Sequence, residues 1–323
     1  MSTALPVPGP LGGARVLAFG EHQPANVVTN DDLAQRVATS DEWIRSRVGI
    51  EERRIADDTE SVESMAVIAG GKALAASGLA PDDIDLVIVA TCTQRDQIPN
   101  AAATVAARLG ISAPGAFDVN AACAGFCYAT GLAADAVRGG SARNVLVVGS
   151  EKLSDWVDWD DRSTCVIFAD GAGAAVVGAA PAEENGVGPV VWGSSGERAD
   201  KIYLRENRYL YQEGQAVFRW TTTELHRVAL QALERSGVDP SELTAFVPHQ
   251  ANLRIVEAIA RKLGAPQALI ARDIVSAGNT SSASIPLAIA RMGGRGELPS
   301  GSTVLTLGFG AGLTYAAQVL RIP

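Results

Sequence analysis

A chain of 323 residues, 47% hydrophobic and 20% charged, is long enough to bury a substantial core as two domains or as one large α/β unit. Its formal net charge of −9 excludes a general nucleic-acid binder, which would present a basic face. The four cysteines, at 92, 123, 127 and 165, show neither C-x-x-C spacing nor the density of a secreted disulfide scaffold, so they read as reduced thiols and predict a cytoplasmic protein.

Residues 1 to 12 predict a loose tail without a secretory signal, and no continuous Leu/Ile/Val run is long enough to span a membrane. Beyond the tail the chain alternates strands and helices. Arg15 to Gly20 reads as a strand and Asn30 to Ala38 as a short helix; Ser40 to Arg45 reads as a helix with an N-cap serine and an acidic first turn. Ser61 to Ser77 has helical periodicity and stops at Gly78, where a C-cap glycine belongs. Asp85 to Ala90 predicts a buried strand, Asn100 to Leu109 a helix, and Ala116 to Ala121 a strand running into Cys123. The next helix runs to about Arg138 and stops at Gly139-Gly140, and Val145 to Gly149 is another buried strand. Thr164 to Phe168 is expected to pair with Ala174 to Ala179 across a hairpin turn at Asp170-Gly171. The run Gly171 to Val176 is not a dinucleotide fingerprint, since its sixth position is Val and it is expected to join two strands rather than open a helix. Further on, Ala216 to Ser236 reads as a helix, Ala245 to Pro248 as a strand and Asn252 to Leu263 as a helix.

An internal repeat organises these elements. ALAASGLAPDDI at 73 to 84 returns as ALERSGVDPSEL at 232 to 243, and VLVVG at 145 to 149 returns as VLTLG at 304 to 308, both at an offset of 159 residues. Two copies with one order of elements imply a duplicated βαβ fold, with halves 13–181 and 182–323 meeting near Pro181 to Asn185. Cys123 and Asn279 lie at corresponding junctions, which a pseudo-twofold would bring face to face.

Cys123 stands where an apolar strand gives way to a small-residue helix. A thiol in the first turn of a helix meets unpaired N–H groups and the positive end of the macrodipole, which favour thiolate. Taken alone it reads first as core packing, because free cysteine is among the most buried residue types. Cys127, one turn on, is expected to be a buried structural thiol. Of the three histidines, His22 lies in a turn and His226 in a helix, whereas His249 follows a strand and precedes a helix, the end of an α/β sheet where ligands bind. A thiolate can take an acyl group, while a neutral His and an Asn amide can both donate to one carbonyl oxygen and stabilise an enolate. The Gly308 to Gly312 loop would bring a backbone N–H beside that of Cys123, although glycines also simply permit tight turns. The clusters Arg45, Arg47, Arg53, Arg54 and Arg254, Arg261, Lys262 read either as solvated helix faces or as local basic spots. No grouping of His, Cys, Asp and Glu has metal-ligand spacing, so no metal is expected.

The runs AACAGF, VPHQANLR, GNTSSAS and LGFGAG, with TSDEWIRSRVGIEERR before them and DRSTCVIFADGAGAAV between, resemble β-ketoacyl-acyl carrier protein synthase III, a thiolase-fold condensing enzyme, from about residue 13 to residue 321. The resemblance implies a thiolase-like α/β fold of two pseudo-symmetric halves forming a five-layered αβαβα core. It further implies a homodimeric acyltransferase that begins fatty acid synthesis by decarboxylative condensation of an acyl-CoA starter with malonyl-acyl carrier protein. On that reading Cys123 is acylated and His249 and Asn279 promote decarboxylation. The N–H groups of Cys123 and Ala311 form the oxyanion hole; family members often have a third glycine where Ala311 stands. Trp43 and Arg162 sandwich the adenine of coenzyme A, Arg47 and Asn252 contact the rest of that substrate, and Arg254 meets the acidic carrier protein. Ile98, reaching into the partner subunit, together with Phe168 and Phe309, shapes the acyl pocket, and Ile98 with Phe168 hints at branched starters. No cofactor is implied beyond the coenzyme A thioesters that serve as substrates.

Relatives of different chemistry are weighed by absence. A degradative thiolase would need a second cysteine near Gly308 to Gly312, yet none follows Cys165; hydroxymethylglutaryl-CoA synthase would need a glutamate ahead of the nucleophile, and residues 86 to 122 contain none. The alternative left open is a starter synthase or acyltransferase of the same fold dedicated to polyketide or other secondary metabolism.

Overall fold

The computed structural model describes residues 12–206 and 208–323, so the expected tail lies, Gly12 apart, outside the described residues. The first half contributes β1 (Gly13–His22), β2 (Val27–Thr29), α1 (Asn30–Ala34), α2 (Asp41–Val48), β3 (Glu52–Arg54), α3 (Val62–Ser77), β4 (Leu86–Ala90), α4 (Ala101–Arg108), β5 (Gly115–Val119), α5 (Gly125–Arg138), β6 (Asn144–Lys152) and β7 (Asp170–Ala180). The second contributes β8 (Val191–Ser194), β9 (Ile202–Arg205), β10 (Tyr209–Gln212), α6 (Gly214–Arg235), β11 (Ala245–Pro248), α7 (Leu253–Ala260), β12 (Leu269–Ile270), α8 (Ile274–Ala277), α9 (Ser284–Gly294), β13 (Thr303–Gly310) and β14 (Thr314–Arg321).

Local chemistry sets many of these bounds. Ser40 and Ser61 accept from the backbone N–H groups of Trp43 and Ser64, opening α2 and α3, and Gly49 and Gly78 close them with φ of 82° and 74°. Both junction helices, α5 and α9, are entered through a single 3-10 turn instead of a side-chain cap.

Two five-stranded sheets have the order β1-β7-β6-β4-β5 and β8-β14-β13-β11-β12. Strand for strand they match: the inner pairs β4/β6 and β11/β13 are parallel, while β6/β7 and β13/β14 are antiparallel. Helices α3 and α4 cover one face of the first sheet and α6 and α7 the outer face of the second. Between the sheets lie α5 and α9, whose Phe126, Ile285 and Ile289 pack with Ile88 and Val247 in a central apolar layer. The result is the five-layered thiolase-like arrangement. Among the described residues no helix is long and apolar enough to cross a membrane.

The halves support each other crosswise. A Cβ at Gly149 of β6 would sit 2.5 Å from the Ser282 carbonyl oxygen, and a Cβ at Gly308 of β13 would sit 2.8 Å from Ala124 Cα. Each central strand therefore presses a bare glycine against the helix start of the other half.

The hairpin expected over 164 to 179 does not form. β7 runs unbroken from Asp170 to Ala180, antiparallel to both β1 and β6, so the run Gly171 to Val176 lies inside one strand instead of joining two. Thr164 to Phe168 is buried without being a strand, packed with Ile44, Ile50 and Leu153. Its one bridge is Phe168 to Asn279, with Ala169 N donating to Asn279 O at 2.9 Å and Asn279 N to Ile167 O at 3.0 Å. The apolar pattern signalled burial correctly, but the burial belongs to a wall against the other half.

Candidate active site

Chain direction reverses sharply after β5. Ala122 holds φ 45°, a left-handed conformation that costs a non-glycine residue on the order of 1 kcal/mol or more, and the turn Ala122–Ala124 delivers Cys123 at the mouth of α5. Gly310, at the end of β13, passes directly over it: a Cβ there would stand 2.9 Å from Cys123 Cβ and N and 3.0 Å from Sγ. Only glycine leaves that approach to the thiol and its N–H open.

The thiolate expected from the helix terminus is not what the surroundings favour. Burial pushes the Cys123 thiol up to about 12, the Glu151 charge adds to the rise, and a hydrogen bond with Ser281 offsets part of it. A helix end contributes up to about 2 kcal/mol at a buried site, less than burial takes from the thiolate here. Burial therefore favours the thiol over the thiolate at Cys123. Cys127 is buried as expected, its thiol pushed up to about 11 by burial.

His249 follows β11 and is fully buried, its Nδ1 2.7 Å from Ser284 Oγ, the first residue of α9. The Gln250 N–H donates to the same hydroxyl oxygen at 3.3 Å, leaving the hydroxyl hydrogen for Nδ1 and the ring proton for Nε2. Phe309 stands edge-on to the imidazole at 5.2 Å, and burial holds its pKa down at about 3, so the ring is neutral near pH 7. Asn279 is clamped on both sides by the 167 to 169 backbone, and its Oδ1 accepts from Ser281 N at 2.9 Å, which leaves Nδ2 as the free donor. The other histidines stay apart from this site: His22 pairs with Glu60 at 2.9 Å, and His226 remains on α6.

Cys123, His249 and Asn279 line one cavity of about 940 Å³ with Phe168, Phe309 and Ala311. Trp43, Arg47, Arg162, Asn252 and Arg254 line the same cavity. The Trp43–Arg162 pair is closed on itself: the guanidinium lies 4.6 Å from the indole centroid and Nη1 donates to Ala38 O at 2.6 Å. An adenine needs roughly 7 Å between two stacking partners, twice a stacking contact, so Arg162 must swing outward to form a sandwich. Asn252 caps α7 by accepting from Arg254 N at 2.9 Å and donates to Arg47 O at 3.1 Å, holding α7 to α2. Arg254 rests over Phe218 at 5.2 Å. Ile98 is 92% exposed and is not part of this chain's cavity wall.

The first arginine cluster divides. Arg45 pairs with Asp41 at 2.7 Å on the surface, whereas Arg53 is 0% exposed and donates to Val28 O, Asn30 Oδ1 and Val166 O. Burial lowers Arg53 to about 10; it braces the wall beside Asn279 and does not face a ligand. Cys92 on the cavity wall, Ser284 behind His249 and Glu151 beneath Ser281 went unread in the sequence. Extending the 159-residue offset past the quoted repeats would have pointed to Glu151, which falls opposite Gly310.

The sequence matches 3-oxoacyl-[acyl-carrier-protein (ACP)] synthase III over residues 117–196 and the C-terminal part of that family over 233–322. A Streptomyces coelicolor protein named beta-ketoacyl-[acyl-carrier-protein] synthase III 4 is 56% identical over 313 residues, covering 96% of this chain and 99% of that protein. A mycobacterial synthase III from Mycobacterium avium is 50% identical over 321 residues, covering 95% of each. Among solved structures, the priming β-ketosynthase of the R1128 polyketide pathway superposes with a TM-score of 0.95 at 42% identity, covering 99% of this chain and 98% of its own. The synthase III of Aquifex aeolicus VF5 gives 0.92 at 40% identity, covering 96% of this chain and 100% of its own. With this cavity, two matched sheets and relatives alike over nearly their whole length, the chain belongs to the β-ketoacyl-[acyl-carrier-protein] synthase III family.

Proposed function

We propose that this enzyme joins an acyl-CoA starter to malonyl-acyl carrier protein through an acyl-cysteine, with Cys123, His249 and Asn279 as its catalytic residues. The observation that carries the reading is that one cavity gathers a thiol, a neutral imidazole and an amide N–H₂ from both halves of the chain.

Cys123 Sγ attacks the thioester carbonyl; a carbon–sulfur bond forms, the bond to coenzyme A breaks, and coenzyme A leaves as a thiol carrying the proton Cys123 loses. Malonyl-carrier protein then presents its thioester carbonyl to His249 Nε2–H and Asn279 Nδ2–H. These two donors stabilise the enolate that forms as the carboxylate departs as carbon dioxide. A neutral imidazole suits this step, because an imidazolium would offer the carbanion an acidic proton and quench it. The carbanion attacks the acyl-cysteine, whose oxyanion lies by the N–H groups of Cys123 and Ala311. Collapse releases the 3-oxoacyl product and returns Cys123, which regains a proton from solvent.

Coenzyme A enters past Trp43 and Arg162, with Arg47 and Asn252 along its arm. Arg254 gives a net-acidic enzyme a cation at the cavity mouth for an acidic carrier protein. The exposed Ile98 fits a homodimer in which it reaches the partner's acyl pocket beside Phe168 and Phe309. Dedication to a polyketide pathway is the second reading, prompted by the likeness to the priming ketosynthase; a measured starter preference other than acetyl-CoA would support it.

The test is incubation with a panel of acyl-CoAs, with and without malonyl-carrier protein, following the mass at Cys123 and carbon dioxide release. Acylation, carbon dioxide release and a 3-oxoacyl product are expected. Acylation without condensation would overturn the reading in favour of simple acyl transfer.

A further inference from the structure

The offset of 159 residues carries Ala122 onto Ser281, Cys123 onto Ser282 and Gly310 onto Glu151. The backbone repeats with them. Ala122 and Ser281 both hold left-handed conformations, φ 45° and 51°, and each opens a 3-10 turn that feeds a helix, α5 or α9. What stands over the two turns differs. Above Cys123 the Gly310 position is bare, whereas above Ser282 the same position carries a fully buried carboxylate.

Glu151 takes hydrogen bonds from both halves. Oε1 accepts from Ser281 Oγ at 3.0 Å and Ser282 Oγ at 2.8 Å. Oε2 accepts from Thr91 Oγ1 at 3.1 Å, Cys92 N at 3.0 Å, Thr93 N at 3.1 Å and Thr93 Oγ1 at 2.6 Å. Cys92 Sγ lies 3.5 Å from Oε1. Among the described residues no Lys or Arg forms an ion pair with it. A carboxylate offers about four lone-pair sites; here Oε2 is filled by N–H and O–H donors and Oε1 faces the two serine hydroxyls.

We propose that Glu151 plugs the second half's counterpart of the reaction pocket and serves there as a positioning residue for Asn279, acting through Ser281. The Ser281 hydroxyl stands 3.0 Å from Glu151 Oε1 while its N–H holds Asn279 Oδ1 at 2.9 Å. Ser281 also carries a strained backbone, which persists only when its surroundings fix it. Removing the carboxylate lets Ser281 relax and the Asn279 amide turn, so the cost falls on enolate stabilisation and not on thioester attack. This inference rests on the catalytic roles proposed above.

The test compares two half-reactions of the full-length enzyme: self-acylation of Cys123 by an acyl-CoA, and carbon dioxide release from malonyl-carrier protein. Glu151→Gln keeps the size but turns an N–H₂ toward donors. Decarboxylation is expected to fall by about tenfold or more while self-acylation stays within about threefold, since a misplacement of 1 Å can cost about a hundredfold. Glu151→Asp, which keeps the carboxyl group, recovers part of the decarboxylation. Ser281→Ala removes the link to Glu151 together with the hydrogen bond to Cys123, so its reading is a decarboxylation loss in excess of any loss of self-acylation, and this carries the test if Glu151→Gln fails to fold. Equal loss of both half-reactions, or no change in their ratio for Ser281→Ala, would overturn the proposal. A wild-type enzyme that performs neither half-reaction would instead overturn the catalytic reading beneath it.

Discussion

Cys123 and Ser282 occupy equivalent places on equivalent turns, yet one opens on a 940 Å³ cavity and the other is sealed. The turn is not what makes a nucleophile here, for both halves have it, left-handed residue included. The difference lies one strand away, in Gly310 against Glu151. A strand end without a side chain leaves room for substrate, and a strand end with a carboxylate fills it.

The strongest way to break this comparison is to truncate the equivalent side chain of each turn in parallel. Cys123→Ala is expected to abolish self-acylation, a loss of about 10³-fold or more, as when a covalent nucleophile is deleted. Ser282→Ala removes a hydroxyl whose single hydrogen lies within reach of Ala90 O and Glu151 Oε1 and costs about 1 kcal/mol of stability, with self-acylation retained. Intact-protein mass and denaturant melts read both outcomes. Next in size, Asn279→Ala keeps self-acylation but loses about 10²-fold or more in decarboxylation, the scale set by deleting one preorganised donor; carbon dioxide release measures it.

A third contrast pairs the glycines. Gly310→Ala forces a methyl against Cys123 and is expected to slow self-acylation by about tenfold or more, the penalty falling on the nucleophile's position. Gly149→Ala meets the Ser282 backbone instead and lowers stability by about 1–3 kcal/mol. Equal kinetic effects from the two would erase the asymmetry between the turns.

The smallest effects concern protons. Because burial puts the Cys123 thiol at about 12, its alkylation rate by iodoacetamide should keep rising from pH 7 to 10, and a plateau below pH 8 would restore the thiolate. His249 is depressed to about 3 from an ordinary 6.5, so the unfolded chain binds the extra proton. The stability tied to this ring is complete above pH 6.5 and drains away as pH falls toward 3. Asp170, raised to about 6 by burial, runs the other way and loses its contribution as pH climbs from 4 through 6. Denaturant melts of His249→Asn across pH 4 to 7 should show a shallower fall on the acid side than wild type.

What could be read from sequence was what local chemistry decides. Ser40, Ser61 and Gly78 announced their helix ends, and the repeat brought Cys123 and Asn279 to matching junctions. The misses are tertiary. Thr164 to Phe168 is apolar because it forms a wall braced by Arg53, which no period-2 pattern distinguishes from a strand, and Arg53 itself differs from the surface Arg45 only by what folds over it. The Cys123 thiolate failed for the same reason. A helix end can be seen in a sequence, but the burial that outweighs it is tertiary, and the carboxylate that adds to it comes from 28 residues away.

The crosswise glycines carry a consequence for how such a chain can change. Because Gly308 of one half seats the Cys123 turn of the other, and Gly149 returns the arrangement, neither half contains a complete template for its own turn. A minimal single-half catalyst cannot be cut from this chain, and substitutions at either strand end are inherited by the opposite junction. Two copies that began as independent modules would, once packed this way, be bound to drift as one.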